Sequence, residues 1–186
     1  MNAYDFDGTI YQGDSTVNFY LFALSRHPLL IRYIPRQAAD AIRYSMKRIG
    51  KTEFKQSFFR FLSSIDTEKM VEQFWNQNQQ KIAEWYLNRR KPDDIIISAS
   101  PEFLLRPLCQ RLGIQRLIAS KVDARTGMFT GENCRGQEKV NRLKKEYQIV
   151  HVDQFYSDSL SDLPMARIAD KAYLVKNGII SEWKQS

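Results

Sequence analysis

Cysteine and histidine are nearly absent. Cys109, Cys134, His27 and His151 are the full complement in 186 residues, with no C-x-x-C pair and no metal-like His/Cys spacing. That argues against a disulfide framework or a zinc site, and the sparse thiol usage suits a reducing compartment, which points to the cytoplasm. His27, before Pro28, and His151, in a loop, have no partner pattern and read as surface or capping residues. Long apolar runs are missing too. The most apolar stretch, residues 17–34, is broken by Arg26, His27, Pro28 and Arg32, which excludes a spanning helix there. Asp5 and Asp7 fall where the apolar region of a secretory leader would stand, so no signal peptide is read. No internal repeat is visible.

What remains is ordinary in amount, 43% hydrophobic and 26% charged, and enough for one buried core or a core with a small appended domain. The charge is uneven. Residues 14–91 hold fourteen Lys and Arg against seven Asp and Glu, while the rest of the chain balances, so the whole net charge of +7 resides in that stretch. Solvated helix faces account for such a surplus, as does an anionic partner: a phosphorylated substrate, nucleic acid or an acidic membrane.

Periodicity divides the chain at the same places. Residues 15–90 read as helices. The first carries Val17, Tyr20, Leu21 and Leu24, with Asp14 or Ser15 as N-cap, and leaves Phe19 and Phe22 off its main stripe as candidates for lining a site. A second runs from Pro28 towards Ile49, striped by Ala38, Ile42, Met46 and Ile49 and kinked or split at Pro35. Thr52 can cap a third, bearing Phe54, Phe58, Phe61, Leu62 and Ile65. Asp66 caps a long fourth with Met70, Phe74, Trp75, Ile82, Trp85 and Tyr86. Most of these aromatics read as the core of a small helical bundle.

After Pro92 strands and helices alternate. Strands are expected at 94–98, 117–122, 128–130, 154–157 and 172–175, and helices at 101–112 and 137–147, with a short one near Asp162. With a first strand at 2–5, this gives an α/β fold: a Rossmann-like open parallel sheet formed by residues 1–13 and 92–186, with an all-helical cap, residues 14–91, inserted after the first strand. Ligands bind at the carboxyl ends of strands in such sheets, so the basic insertion is placed as a lid over them.

Those strand ends are polar. Strand side chains alternate, so Asp5 and Asp7 leave the chain on one side, and two carboxylates that close repel unless a cation or a shared proton stands nearby. Ser98 ends the triple-Ile strand, Asp158 follows Ser157, Asp162 lies four residues on, and Lys139 opens a helix after Gly136. Asp5 and Asp158 suit a hard cation such as Mg2+, and Ser98 and Lys139 suit a phosphate held opposite it. Asp123 reads as turn chemistry, and Ser100 suits a helix cap and a phosphate contact equally.

Asp-Phe-Asp-Gly-Thr at 5–9, Ser98, Lys139 and the run from Asp158 to Asp162 together resemble the four motifs of the haloacid dehalogenase superfamily, in order and over nearly the whole chain. The helical insertion is similar to the cap of its phosphoserine-phosphatase-like subgroup. The resemblance implies a Mg2+-dependent phosphatase that hydrolyses a small phosphomonoester through an aspartyl-phosphate. By it, Asp5 is the nucleophile, and Asp7 protonates the leaving group and then activates water. Asp5, the backbone carbonyl of Asp7 and Asp158 hold the metal, with Asp162 supporting that shell. Ser98 and Lys139 bind the phosphoryl oxygens, with Gly8, Thr9 and Ala99 as further phosphate-binding positions. A departing halide needs no proton, so the second Asp argues for phosphoryl chemistry within the superfamily.

Two departures bear on substrate. Ala99-Ser100 stands where phosphoserine phosphatases carry Gly-Gly, and Asp14 stands where they place a Glu for the substrate amine, so phosphoserine is not favoured. One alternative is a lipid-phosphate (phosphatidylglycerophosphate-like) phosphatase, whose basic lid, with Leu29, Leu30, Ile31 and Tyr33 beside Arg26, Arg32 and Arg36, makes peripheral contact with an anionic membrane. Another is a non-catalytic phospho-ligand-binding module. Nucleic acid ranks low, because the positive charges are spread over several helices. The residues leave the oligomeric state open.

Overall fold

Three residues make the first strand, and its neighbours on both sides fix its register. The computed structural model describes residues 1–183, the side chains of Lys51 and Thr52 excepted. Strand β1 (Asn2–Tyr4) lies between β2 (Ile95–Pro101) and β4 (Val152–Ser157), parallel to both, with Ala3 opposite Ile95 and Phe155. Outside them run β3 (Arg116–Ser120) and β5 (Ala169–Lys176), also parallel. A last strand, β6 (Ile179–Glu182), pairs antiparallel with β5, completing the order β3-β2-β1-β4-β5-β6. It extends the sheet beyond the sequence expectation, which stopped at the Asn177-Gly178 turn. Both turn residues take positive φ, the geometry that closes a two-residue hairpin.

Alternation along the strands supplies two faces. Ala3, Ile95, Ile97 and Phe155 pack on one side with Leu143 of α7 (Gln137–Tyr147) and Met165 of α8 (Leu163–Ala166). Tyr4, Ile96 and Tyr156 pack on the other with Leu104 and Leu108 of α6 (Glu102–Arg111).

Between β1 and β2 lie α1 (Ser15–Arg26), a 3-10 turn (Pro28–Tyr33), α2 (Ile34–Ser45), α3 (Lys51–Phe59), a second 3-10 turn (Arg60–Ser64), α4 (Thr67–Asn78) and α5 (Glu84–Arg89). Their aromatics do not form a bundle core of their own. Phe19, Phe61, Phe74, Trp75 and Tyr86 belong to one continuous cluster with Tyr4, Phe6 and Ile96. Trp75 stands edge-on to Phe6 and Tyr11 and donates its indole N–H to the Leu104 carbonyl at 2.6 Å. This aromatic knot anchors α4 to the chain just after Asp5.

Several expected elements are altered by such tertiary bonds. The long fourth helix breaks after Asn78, because Gln12 N–H bonds the Lys81 carbonyl (3.0 Å) and Ala83 N–H bonds the Ile10 carbonyl (2.8 Å). Ile82 thus pairs with Tyr11 in extended form before α5 begins. The second helix is shortened by the 3-10 turn, and Pro35 sits in the first turn of α2, where its missing N–H costs nothing. Its stripe is inverted: Ala38, Ile42 and Met46 face solvent and only Ile49 is buried, whereas Leu30, expected on the surface, is buried. Gly50 is the N-cap of α3, and the Thr52 side chain proposed as its cap lies outside the described residues. The expected strand at 128–130 reduces to a single bridge between Val122 and Phe129.

Candidate active site

Asp5 stands one residue beyond β1, its N–H bonded to the Tyr156 carbonyl at 2.8 Å, so the sheet itself sets where its carboxylate projects. That carboxylate accepts from Lys139 Nζ at 2.8 Å. Lys139 lies in the first turn of α7, which starts from Gly136 at φ +56, and is almost completely buried. A second bond runs from its ammonium to Asp162 Oδ2 at 2.6 Å, and Asp162 also accepts from the Ser157 hydroxyl at 2.9 Å. Burial works against the Lys139 charge, but the two carboxylates outweigh it and raise its pKa. The Asp5 carboxyl is pushed up to about 7 by burial, with Lys139 opposing and the charges of Asp162 and Asp7 adding. This ammonium is shared by Asp5 and Asp162, so of the Asp5/Asp7 pair it bonds only Asp5.

Asp7 is held differently. Its Oδ1 accepts from the Ser15 N–H at 2.6 Å, the first N–H of α1, and its Oδ2 accepts from the Ser100 hydroxyl. The start of a helix favours a carboxylate there. Even so, burial, with the Asp14 charge adding, pushes the Asp7 carboxyl up to about 6. Ser100 therefore grips Asp7 and leaves the capping of α6 to Pro101, which supplies no side-chain bond. Asp14 caps α1, accepting from the Val17 N–H at 2.9 Å.

Asp158 follows β4 and lies directly against Gly8. A Cβ on Gly8 would stand 2.3 Å from Asp158 Oδ2, and Gly8 has φ +70, so glycine is required there twice over. Burial raises the Asp158 pKa, the Asp162 charge adding to it. Ser98 is buried and its hydroxyl accepts from the Ser100 N–H at 3.0 Å.

Asp5, Asp7, Asp14, Ser98, Ala99, Lys139, Asp158 and Asp162 all line one cavity of about 500 Å3. Gly8 and Thr9 instead line a neighbouring cavity, which shares Asp158 with the first, and the buried Thr9 hydroxyl has no partner there. Phe19 and Phe22 do not reach the site. Phe19 is buried against Phe61, Phe74 and Phe103, and Phe22 packs on Phe74. The helical segment contributes Phe54, Lys55, Phe58 and Phe59 instead. Lys55 Nζ donates to Asn133 Oδ1 (2.8 Å) and the Ala99 carbonyl (3.3 Å), while burial lowers its pKa against the pull of Asp14 and Asp7. Lys55 was not singled out by the sequence pattern, yet it lines the cavity together with Phe54, Phe58 and Phe59. Arg135, also missed, lines the cavity from the loop before α7.

A family model described as haloacid dehalogenase-like hydrolase matches residues 3–167. The chain belongs to the haloacid dehalogenase-like hydrolases. Among its relatives, the protein CicA of Caulobacter vibrioides is 30% identical, over 95% of this chain and 86% of that protein. A probable phosphatase of Mycobacterium tuberculosis is 31% identical over 45% of this chain and 31% of its own length. Among solved structures, a protein of unknown function from Bordetella pertussis superposes with a TM-score of 0.75 at 18% identity, over 92% of this chain and 87% of that one. A phosphoserine phosphohydrolase-like protein from Francisella tularensis does so at 0.54 and 17%, over 92% and 84%. The shared fold is the open, mostly parallel α/β sheet.

In this haloacid dehalogenase-like hydrolase the carboxylates of Asp5 and Asp158 line the same cavity and offer hard oxygen donors. Both carboxyls carry pKa values raised chiefly by burial, with neighbouring carboxylates adding, and a divalent cation would offset both effects. Among the described residues no three His, Cys, Asp or Glu side chains are gathered to hold a metal unaided. Two carboxylates nonetheless suit Mg2+, which binds one or two carboxylates and keeps several waters.

Proposed function

We propose that this hydrolase is a Mg2+-dependent phosphomonoesterase that works through a phosphorylated Asp5. The observation that carries the reading is the Asp5 carboxylate held on Lys139, with Asp7 fixed separately on the Ser15 N–H and the Ser100 hydroxyl in the same cavity. A bound Mg2+, held by Asp5, Asp158 and the Asp7 carbonyl, would supply charge neutralisation for the phosphoryl oxygens.

The chain's own groups divide the remaining work. Lys139 keeps Asp5 oriented and offsets negative charge, which a nucleophilic carboxylate needs when it meets a phosphate. Ser98 donates to a phosphoryl oxygen. Asp7 gives a proton to the departing alkoxide and afterwards takes one from the attacking water. Asp162 positions Lys139. The helical segment 14–91 serves as a lid, with Lys55 and Arg135 meeting anionic groups on the substrate and Phe54 and Phe58 covering its carbon skeleton. Phosphoserine is a poor fit, since Ser100 is committed to Asp7 and Asp14 to its cap.

A panel of phosphate esters, lipids included, assayed with and without Mg2+, tests the reading. Hydrolysis should require Mg2+ and vanish in Asp5→Asn. Full activity in that variant, or binding of esters without any turnover by the wild type, would overturn it.

A further inference from the structure

Helix α2 is built inside out. Ile34, Ala38, Ile42 and Met46 recur at i, i+4 spacing and form one apolar row, and Ile31, one 3-10 turn earlier, eclipses Ile34. In a surface helix such a row ordinarily faces the core. Here Ile31 is 66% exposed, Ile42 60% and Met46 53%, and Leu29 in the preceding turn is 79% exposed. The polar side turns inward. Gln37 Nε2 donates to the Phe58 carbonyl at 3.1 Å, Gln37 Oε1 accepts from the Tyr20 hydroxyl at 2.6 Å, and Asp40 accepts from the Ser57 hydroxyl. These bonds fix the rotation of the helix, so the exposed row is part of the fold.

Charge along this segment is mostly positive, with Asp40 and Glu53 set among Arg36, Arg43 and Arg60 in the groove between α2 and α3. Residues 15–52 contain seven Lys and Arg and a single acid, Asp40. That acid is buried and already bonded to Ser57 and Arg43. Arg36 and Arg43 lie on the flank of α2 toward α3, in a polar groove with Asp40, Glu53 and Arg60, and Arg32 stands one 3-10 turn from Leu29. An apolar stripe flanked by a surplus of arginines, of which Arg43 is paired with Asp40, matches a negatively charged surface with an apolar interior.

We propose that α2 and the turn before it dock on an anionic lipid bilayer, the apolar row entering the headgroup boundary and the arginines meeting lipid phosphates. The face is convex, so it offers no groove for a peptide. Its footprint, about 18 Å by about 10 Å, is far below the roughly 800 Å2 per partner of a stable dimer. Helix α3 packs on α2, where Phe54 stacks on Tyr44, and also lines the cavity with Phe54, Lys55 and Phe58, so a docked bilayer lies one helix layer from the cavity. The inference goes beyond the phosphatase reading and does not need it.

Co-sedimentation of the full chain with vesicles tests it, using phosphatidylcholine alone and phosphatidylcholine mixed with phosphatidylglycerol, at low and high salt. Wild type should sediment with the mixed vesicles, far less with phosphatidylcholine, and less in high salt. Ile31→Ser/Ile42→Ser/Met46→Ser and Arg32→Gln/Arg36→Gln should each weaken partition at least about tenfold, with melting temperature and hydrolysis of a soluble ester unchanged. Asp5→Asn should bind as wild type does, which separates this result from the catalytic one. No sedimentation with anionic vesicles, or undiminished binding by the triple serine variant, would overturn the proposal. So would self-association, or capture of an acidic protein, that the serine variant abolishes while vesicles are ignored.

Discussion

Asp7 is gripped from two sides, by a helix-start N–H and by the Ser100 hydroxyl, and in the proposed mechanism that grip holds it to serve the leaving group's proton. Asp7→Asn keeps the shape and loses the acid. Its kcat should fall about 10²–10⁴-fold for alkyl phosphates, whose alkoxide needs a proton, and far less for p-nitrophenyl phosphate, whose phenolate leaves unaided. Steady-state kinetics on the two ester types reads the difference, and equal losses on both would contradict the acid role. The thiols stand at the other extreme. Burial pushes Cys109 up to about 12 and Cys134 up to about 11, and both are free. Native protein at pH 8 should therefore resist thiol-specific alkylation, and both should react once denatured, as mass spectrometry would show.

At the scale of elements, the loop after β3 is locked against the end of α3 by a glycine. Gly127 has φ +75, and a Cβ there would stand 2.3 Å from the Phe59 carbonyl oxygen. Gly127→Ala should cost about 1–3 kcal/mol in denaturant unfolding, through both left-handed strain and the displaced backbone of α3. Because Phe59 lines the cavity, KM should rise with it. What the sequence disclosed at this scale follows from range. Asp5, Lys139 and Asp158 announce themselves because each follows a strand or opens a helix, and Asp7 and Ser98 stand within a few residues of such features. Lys55 and Arg135 do not, since only the packing of α3 and the loop before α7 turns them into one cavity. The break between α4 and α5 depends on bonds to Ile10 and Gln12, seventy residues away, which no helical period can register. The periodicity of α2 is real, but its direction is set by Gln37 and Asp40 bonding inward, and pattern alone assumes the opposite.

For the whole molecule, the sheet and the inserted helices share one aromatic core while the acids gather at its open edge. A ligand that binds only this assembled edge stabilises the entire fold. Mg2+ should raise the melting temperature progressively with concentration, and Asp158→Asn should flatten that response; an identical rise in the variant would remove Asp158 from the metal site. The most direct test of the central claim is to trap the phosphorylated enzyme. Wild type mixed with Mg2+ and labelled p-nitrophenyl phosphate, then quenched in acid within a turnover, should carry hydroxylamine-labile phosphate. Borohydride reduction and peptide mapping should place it on Asp5, and Asp5→Asn should carry none. Turnover with no label on Asp5, or undiminished turnover in Asp5→Asn, would contradict the account.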